Sequence, residues 1–224
     1  MKLAIVLLGL VALSAAAPQE RGVVQNMLQD EVNKAQSQLK SLQDQVSDLK
    51  SKIETDAANV ISAAEAKLGP MFTDLENEIS KLIAKGEVIA DCAIKNRDDL
   101  AEFKPIVFNN LPTCASGLAD DIGAILLGVE SDIGALAGAI ANLALIAGEC
   151  AAQGEAGAAI CAGSKVGPIL GNVLSIIGDA VAAVGIAIGK APAIVADVEY
   201  CASNVVANAV VTLGKFGDAV KKCA

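Results

Sequence analysis

Six cysteines punctuate the chain at Cys92, Cys114, Cys150, Cys161, Cys201 and Cys223, and the successive gaps in numbering are 22, 36, 11, 40 and 22. The series is close to a mirror image about the Cys150 to Cys161 pair. If residues 114–150 form a helical arm and 161–201 return antiparallel to it, Cys114 faces Cys201, and the equal outer intervals bring Cys92 to Cys223. This symmetry favours nested bridges, 150 to 161, 114 to 201 and 92 to 223. Short spacing also admits a local set, 92 to 114, 150 to 161 and 201 to 223. The reversal is expected at Gly154-Glu155-Ala156-Gly157, midway between the central pair, with breaks in the arms near Pro168 and Pro192. Zinc binding would need close C-x-x-C pairs, and the chain has none.

Paired cysteines belong to an oxidising compartment, and the N-terminus supplies an address. Residues 1–16 carry Lys2, an apolar run from Leu3 to Leu13, and Ser14 and Ala16 at the −3 and −1 positions of a cut before Ala17. That is the pattern of a signal peptide, removed on export. The run from Leu3 to Leu13 is too short to cross about 30 Å of hydrocarbon as a helix. The mature chain is therefore expected to be secreted and extracellular.

Two regions of different character follow. Between Glu20 and Lys104 there are 27 charged residues in 85, whereas Ala115 to Ala224 has 15 in 110 together with 16 of the 20 Gly. We divide the mature chain at this change into a charged helical region, 17–104, and an Ala/Gly/Val-rich disulfide-stapled helical domain, 105–224. In the first, Leu28, Val32, Ala35, Leu39, Leu42, Val46, Leu49 and Ile53 recur every 3.5 residues, which predicts a long helix with a narrow, coiled-coil-like seam. The seam admits a homodimer through Leu28 to Ile53; the alternative, which its weakly charged pattern with Ala35 in the line favours, is packing on the rest of the same chain. Gly69 and Pro70 predict a stop and a new start. The next helix carries Phe72, Leu75, Ile79, Leu82 and Ile83 on one face.

In the second region the apolar spacing is again helical, through Ile133, Leu136, Ile140, Leu143 and Ala147, then Leu170, Val173, Ile177, Val181, Val184 and Ile188. Beyond Pro192 it resumes at Val198, Cys201, Val205, Ala209, Leu213, Phe216 and Val220. The pentapeptide starting at Asp121 recurs at Asp132, which sets Gly123 and Gly134 on one stripe where another helix could approach closely. The expected fold is all-α: a long N-terminal helix followed by an antiparallel, disulfide-stapled helical bundle or hairpin.

Composition narrows the chemistry. With no His, every imidazole-based relay or metal site is excluded. A net charge of −9 repels a phosphate backbone, so no nucleic acid is expected as partner. The adjacent carboxylates Asp98-Asp99 and Asp120-Asp121 diverge by about 100° on a helix and read as solvated or N-terminal charges. No catalytic, metal or cofactor residue is assigned, and the chain is expected to be non-enzymatic, acting through its surfaces on an unknown protein. A carrier of lipid or a small apolar ligand is the alternative, given a mean hydropathy of +0.52. The longest uncharged run of the second region, Ile133 to Gly148, falls short of the ~18 apolar residues that a spanning helix needs, so no transmembrane segment is expected in the mature chain.

The closing sequence Phe216-Gly-Asp-Ala-Val-Lys-Lys-Cys223, after a polar helical part and an Ala/Val/Gly-rich part with cysteines, resembles insect secreted proteins of the tsetse EP-domain type. The resemblance covers residues 80–224. It implies an extracellular insect protein of gut or secretory epithelium with a defence-related role. It supplies no catalytic residue, and the Glu-Pro repeat that names those proteins does not occur in this chain.

Overall fold

The structure is a computed structural model and describes residues 23–223. The leader expected over 1–16 lies outside them. Helix α1 spans Val23–Ile83, α2 Glu87–Thr113, α3 Leu118–Ala151 and α4 Gly154–Cys161; one wider π turn, Ala162–Val166, leads into α5, Gly167–Cys223. No strand occurs among the described residues, so the fold is all-α.

Three disulfides close within it: Cys92 to Cys223, Cys114 to Cys201 and Cys150 to Cys161, with Cα atoms 5.8, 5.6 and 5.4 Å apart. This is the nested set. No cysteine is free among the described residues.

The chain divides into two compact units. Unit 1 comprises the described residues up to Asp48 with Leu126–Gly189, and unit 2 comprises Leu49–Ile125 with the chain from Lys190. The change of composition between 104 and 105 falls inside α2.

Unit 2 is a three-helix core. Leu68, Phe72, Leu75 and Ile79 of α1, Leu100, Val107 and Leu111 of α2, and Ala202, Val206, Ala209, Leu213 and Val220 of α5 form one buried cluster. Phe72 lies at its centre, with ring centroids 5.9 Å from Phe103 and 5.7 Å from Phe108, while Phe103 meets Phe216 at 5.9 Å. The two bridges set the direction of the helices. Cys92 and Cys114 are as far apart along α2 and its end as Cys201 and Cys223 are along α5. That interval is just over six helical turns, so each pair lies on nearly one face. Joined start to end, they hold α2 and the last part of α5 antiparallel.

The reversal between α1 and α2 is at Ala84 to Gly86, not at Gly69–Pro70, which corrects the expected stop. Proline removes one N–H donor and crowds the carbonyl one turn back. Here both Pro70 and Ala66 face solvent, where water can take the freed carbonyl, and the buried side chains of Leu68 and Phe72 on either side keep the helix on course. Gly86 makes the turn with φ 134° and ψ 171°, a backbone conformation that favours glycine. Pro192 is likewise carried inside α5.

In unit 1, α1 buries Leu28, Val32, Ala35 and Leu42, the expected seam, and in unit 2 the same line continues with Leu49 and Ile53. The chain itself covers the seam, so no pairing between copies is drawn from it. The turn after α3 lies at Ala152–Gln153, just ahead of the expected Gly154, and residues 154–157 are already helical. The π turn stands directly before Pro168. There the Gly167 N–H donates to the Ala162 carbonyl, and the wider turn gives the proline ring room.

Two expectations for the apolar helices fail. Gly123 and Gly134 do share a stripe of α3, but an added Cβ at either would meet nothing within 4 Å, so no helix approaches there. On α5 the buried line runs through Leu170, Val173, Ala180, Val184 and Ala187, while Val181 and Ile188 stand outside it and more than half exposed. With only Asn172, Ser175 and Asp179 polar between Gly167 and Gly189, periodicity has too sparse a polar face to fix its phase.

Candidate functional site

The adjacent carboxylates singled out in the sequence stay at the surface. Asp98, Asp99, Asp120 and Asp121 are all exposed, the last two in the first turn of α3, where acidic groups suit the helix dipole. Among the described residues no three His, Cys, Asp or Glu side chains stand together as a metal site, and no polar side chain is buried. The ion pairs lie at the surface: Lys104 Nζ to Glu76 Oε1 at 2.8 Å, with the ammonium also 5.9 Å from the Phe72 ring, and Lys165 Nζ to Glu149 Oε2 at 3.7 Å. A hydrogen bond to Glu31 raises the pKa of Lys34. The six cysteines are paired in disulfides, which tie α2 to α5 at two points and α3 to α4 at one.

Two apolar features remain. The first is in unit 2, a groove of about 560 Å³ between α1 and α5, where Ala63, Ala64, Ala202 and Ala207 are too short to fill the space that the phenylalanines fill deeper in the core. Val60, Val206 and Val210 extend it, and Lys67, Ser203 and Glu199 also line it.

The second is the set of exposed aliphatic side chains of unit 1. Leu127 and Leu145 on α3 are 70% and 69% exposed. They stand five whole turns apart on one line of the helix, opposite the buried Leu136, Ile140 and Leu143. On α5, Ile186 is 60% exposed beside the fully buried Ala187. With Ile160, Val181 and Ile188, unit 1 holds six of the nine large exposed hydrophobic side chains among the described residues. Between them the surface is small and open: a Cβ added at Gly134, Gly138, Gly171, Gly178 or Gly185 would meet nothing within 4 Å.

Comparison with protein-family models, curated proteins and solved structures finds no match. Two stretches, Ala90–Ala151 and Gly157–Cys223, are long and apolar enough, by length and composition, to cross a membrane. A core helix of a soluble protein passes the same test but is mostly buried. Here only 28% and 22% of the apolar windows are covered. Sequence reasoning found the apolarity and missed that it faces outward. The signal was present in Gly171, Gly178 and Gly185, spaced seven apart, which mark a face that no helix had to fill.

Proposed function

We propose that this chain is an exported, non-enzymatic helical protein that works by presenting the exposed aliphatic side chains of unit 1 to an apolar partner. One observation carries the reading: bulky aliphatic side chains stand outside while alanines occupy the buried line. Exposing an Ile or Leu that could be buried forgoes about 1.5–3 kcal/mol each, and six large aliphatic side chains left outside one unit favour an interaction role. Three disulfides fit an oxidising compartment; export through the leader and the insect gut or defence setting implied by the EP-domain resemblance complete the proposal. The test is binding of an environment-sensitive hydrophobic dye to the oxidised protein. The double variant Leu145→Ser with Ile186→Ser should keep its helicity and lose most of the dye signal. An unchanged signal would refute the proposal.

The unit 2 groove favours a second reading, carriage of one small apolar molecule. Ala202→Leu would fill the groove, so loss of fluorescent fatty-acid binding in that variant, with dye binding at unit 1 intact, would select the carrier.

A further inference from the structure

We infer that the peptide bond between Lys85 and Gly86 is a processing site for a protease of the trypsin class, and that cutting it makes α1 a separate chain. Such proteases take Lys or Arg on the acyl side of the bond and hold the residues around it extended. An exposed turn meets that demand, whereas an intact helix must first unfold. Of the Lys and Arg among the described residues, Lys85 alone lies outside a helical turn. Ala84, Lys85 and Gly86 are all exposed, and a Cβ added at Gly86 would meet nothing within 4 Å. The turns at 114–117 and 152–153 carry no basic residue. The segment also opens readily. No side chain accepts from the first N–H groups of α2 at its Gly86 cap. On the other side, the Ala84 N–H donates to the Ser80 carbonyl at 3.2 Å and the Lys85 N–H to the Leu82 carbonyl at 3.0 Å. Hydrogen bonds at helix ends such as these fray first.

The bridges decide what the cut does. A single cut anywhere between Cys92 and Cys223 leaves its two pieces joined by the outer disulfide. Helix α1 has no cysteine and Lys85 precedes Cys92, so a cut here severs the covalent link between α1 and the disulfide-bonded helices. Water adds across the amide, leaving a carboxylate on Lys85 and an ammonium on Gly86. Each new charge stands at the helix end whose dipole opposes it, the carboxylate at the C-terminus of α1 and the ammonium at the N-terminus of α2. Leu68, Phe72, Leu75 and Ile79 then hold α1 on α2 and α5 as one chain holds another.

Limited digestion of the oxidised full chain with trypsin tests this. Mass spectrometry should place the first cut after Lys85, and a denaturing gel without reductant should show two bands, one ending at Lys85 and a disulfide-linked body starting at Gly86. Lys85→Gln should slow loss of the intact chain about tenfold, because the next site must wait for a helix to open. Lys85→Arg keeps the recognised charge and should be cut as fast as the parent. Lys81→Gln, in the last turn of α1, and Lys165→Gln, in the π turn, should leave the rate unchanged. A first cut at any other residue overturns the inference, as does a Lys85→Gln chain digested as fast as the parent. Mixed with an isotope-labelled batch cut in the same way, the cut protein should exchange α1 and give hybrids in native mass spectrometry. Absence of hybrids overturns the separation of α1.

Discussion

Gly86 and Gly134 offer the same empty space to a methyl group, since neither would bring a Cβ within 4 Å of another atom, and they differ in backbone alone. Gly86 sits at φ 134°, where an L side chain collides with its own backbone, so Gly86→Ala should destabilise unit 2 by about 1–2 kcal/mol. Gly134 lies inside α3, where alanine is the better helix former, and Gly134→Ala should be neutral or stabilising by up to about 1 kcal/mol. Urea midpoints of the two variants check the pair; a loss at Gly134 equal to that at Gly86 would show that something does pack against it. The sequence draws attention to the wrong glycine. Gly69 precedes a proline and so reads as a stop, while Gly86 sits between Lys85 and Glu87 with nothing to announce it. What decides between them is burial on both sides of Pro70, a property of the assembled core.

Helices with a well-populated polar side are legible and helices with a sparse one are not. The lines Leu28 to Ile53 and Phe72 to Leu82 are read correctly because Gln, Lys, Asp and Glu fill the other positions and leave one phase for burial. From Gly167 to Gly189, α5 has only Asn172, Ser175 and Asp179 among its apolar residues, too sparse a polar side to fix the phase, and hydropathy ranks Val181 and Ile188 as core when Ala180 and Ala187 are core. Close packing around alanine leaves no room for a larger side chain. Ala180→Leu should therefore cost about 1–3 kcal/mol by overpacking, whereas Ile186→Ala should change stability by no more than about 0.5 kcal/mol. Thermal or urea unfolding of both variants measures this, and the opposite order would mean that the buried line of α5 is assigned to the wrong face. The outward aliphatic side chains were hidden for the same reason: apolarity was visible, and its direction was not.

At the scale of the molecule the cysteine spacing carried the most information, because an antiparallel pair of helices bridged at both ends must have equal intervals on its two sides. Of the outer and the inner bridge, the one that stabilises more is also the more accessible. Cys92 to Cys223 closes 131 residues; with Cys114 to Cys201 intact and spanning 87, the outer bridge constrains 131 − 87 = 44 further residues. Chain entropy puts that at about 4 kcal/mol, against about 3 kcal/mol for the 11 residues between Cys150 and Cys161. Thiol exchange, however, begins with an approach to sulfur. Cys92 is exposed, while Cys150 and Cys161 are 0% and 5% exposed. Partial reduction of the folded protein, followed by alkylation and peptide mapping, should label Cys92 and Cys223 first and Cys150 and Cys161 last. The species lacking only the outer bridge should then unfold at lower urea than the Cys150→Ala, Cys161→Ala variant, by the equivalent of about 1 kcal/mol. Labelling of Cys150 and Cys161 ahead of the outer pair would mean that the end of the α3 to α5 hairpin opens in the native state. A fragment linking Cys92 to Cys114 in the unreduced digest would remove the nested arrangement itself, and with it the antiparallel register of α2 and α5 on which the core around Phe72 depends.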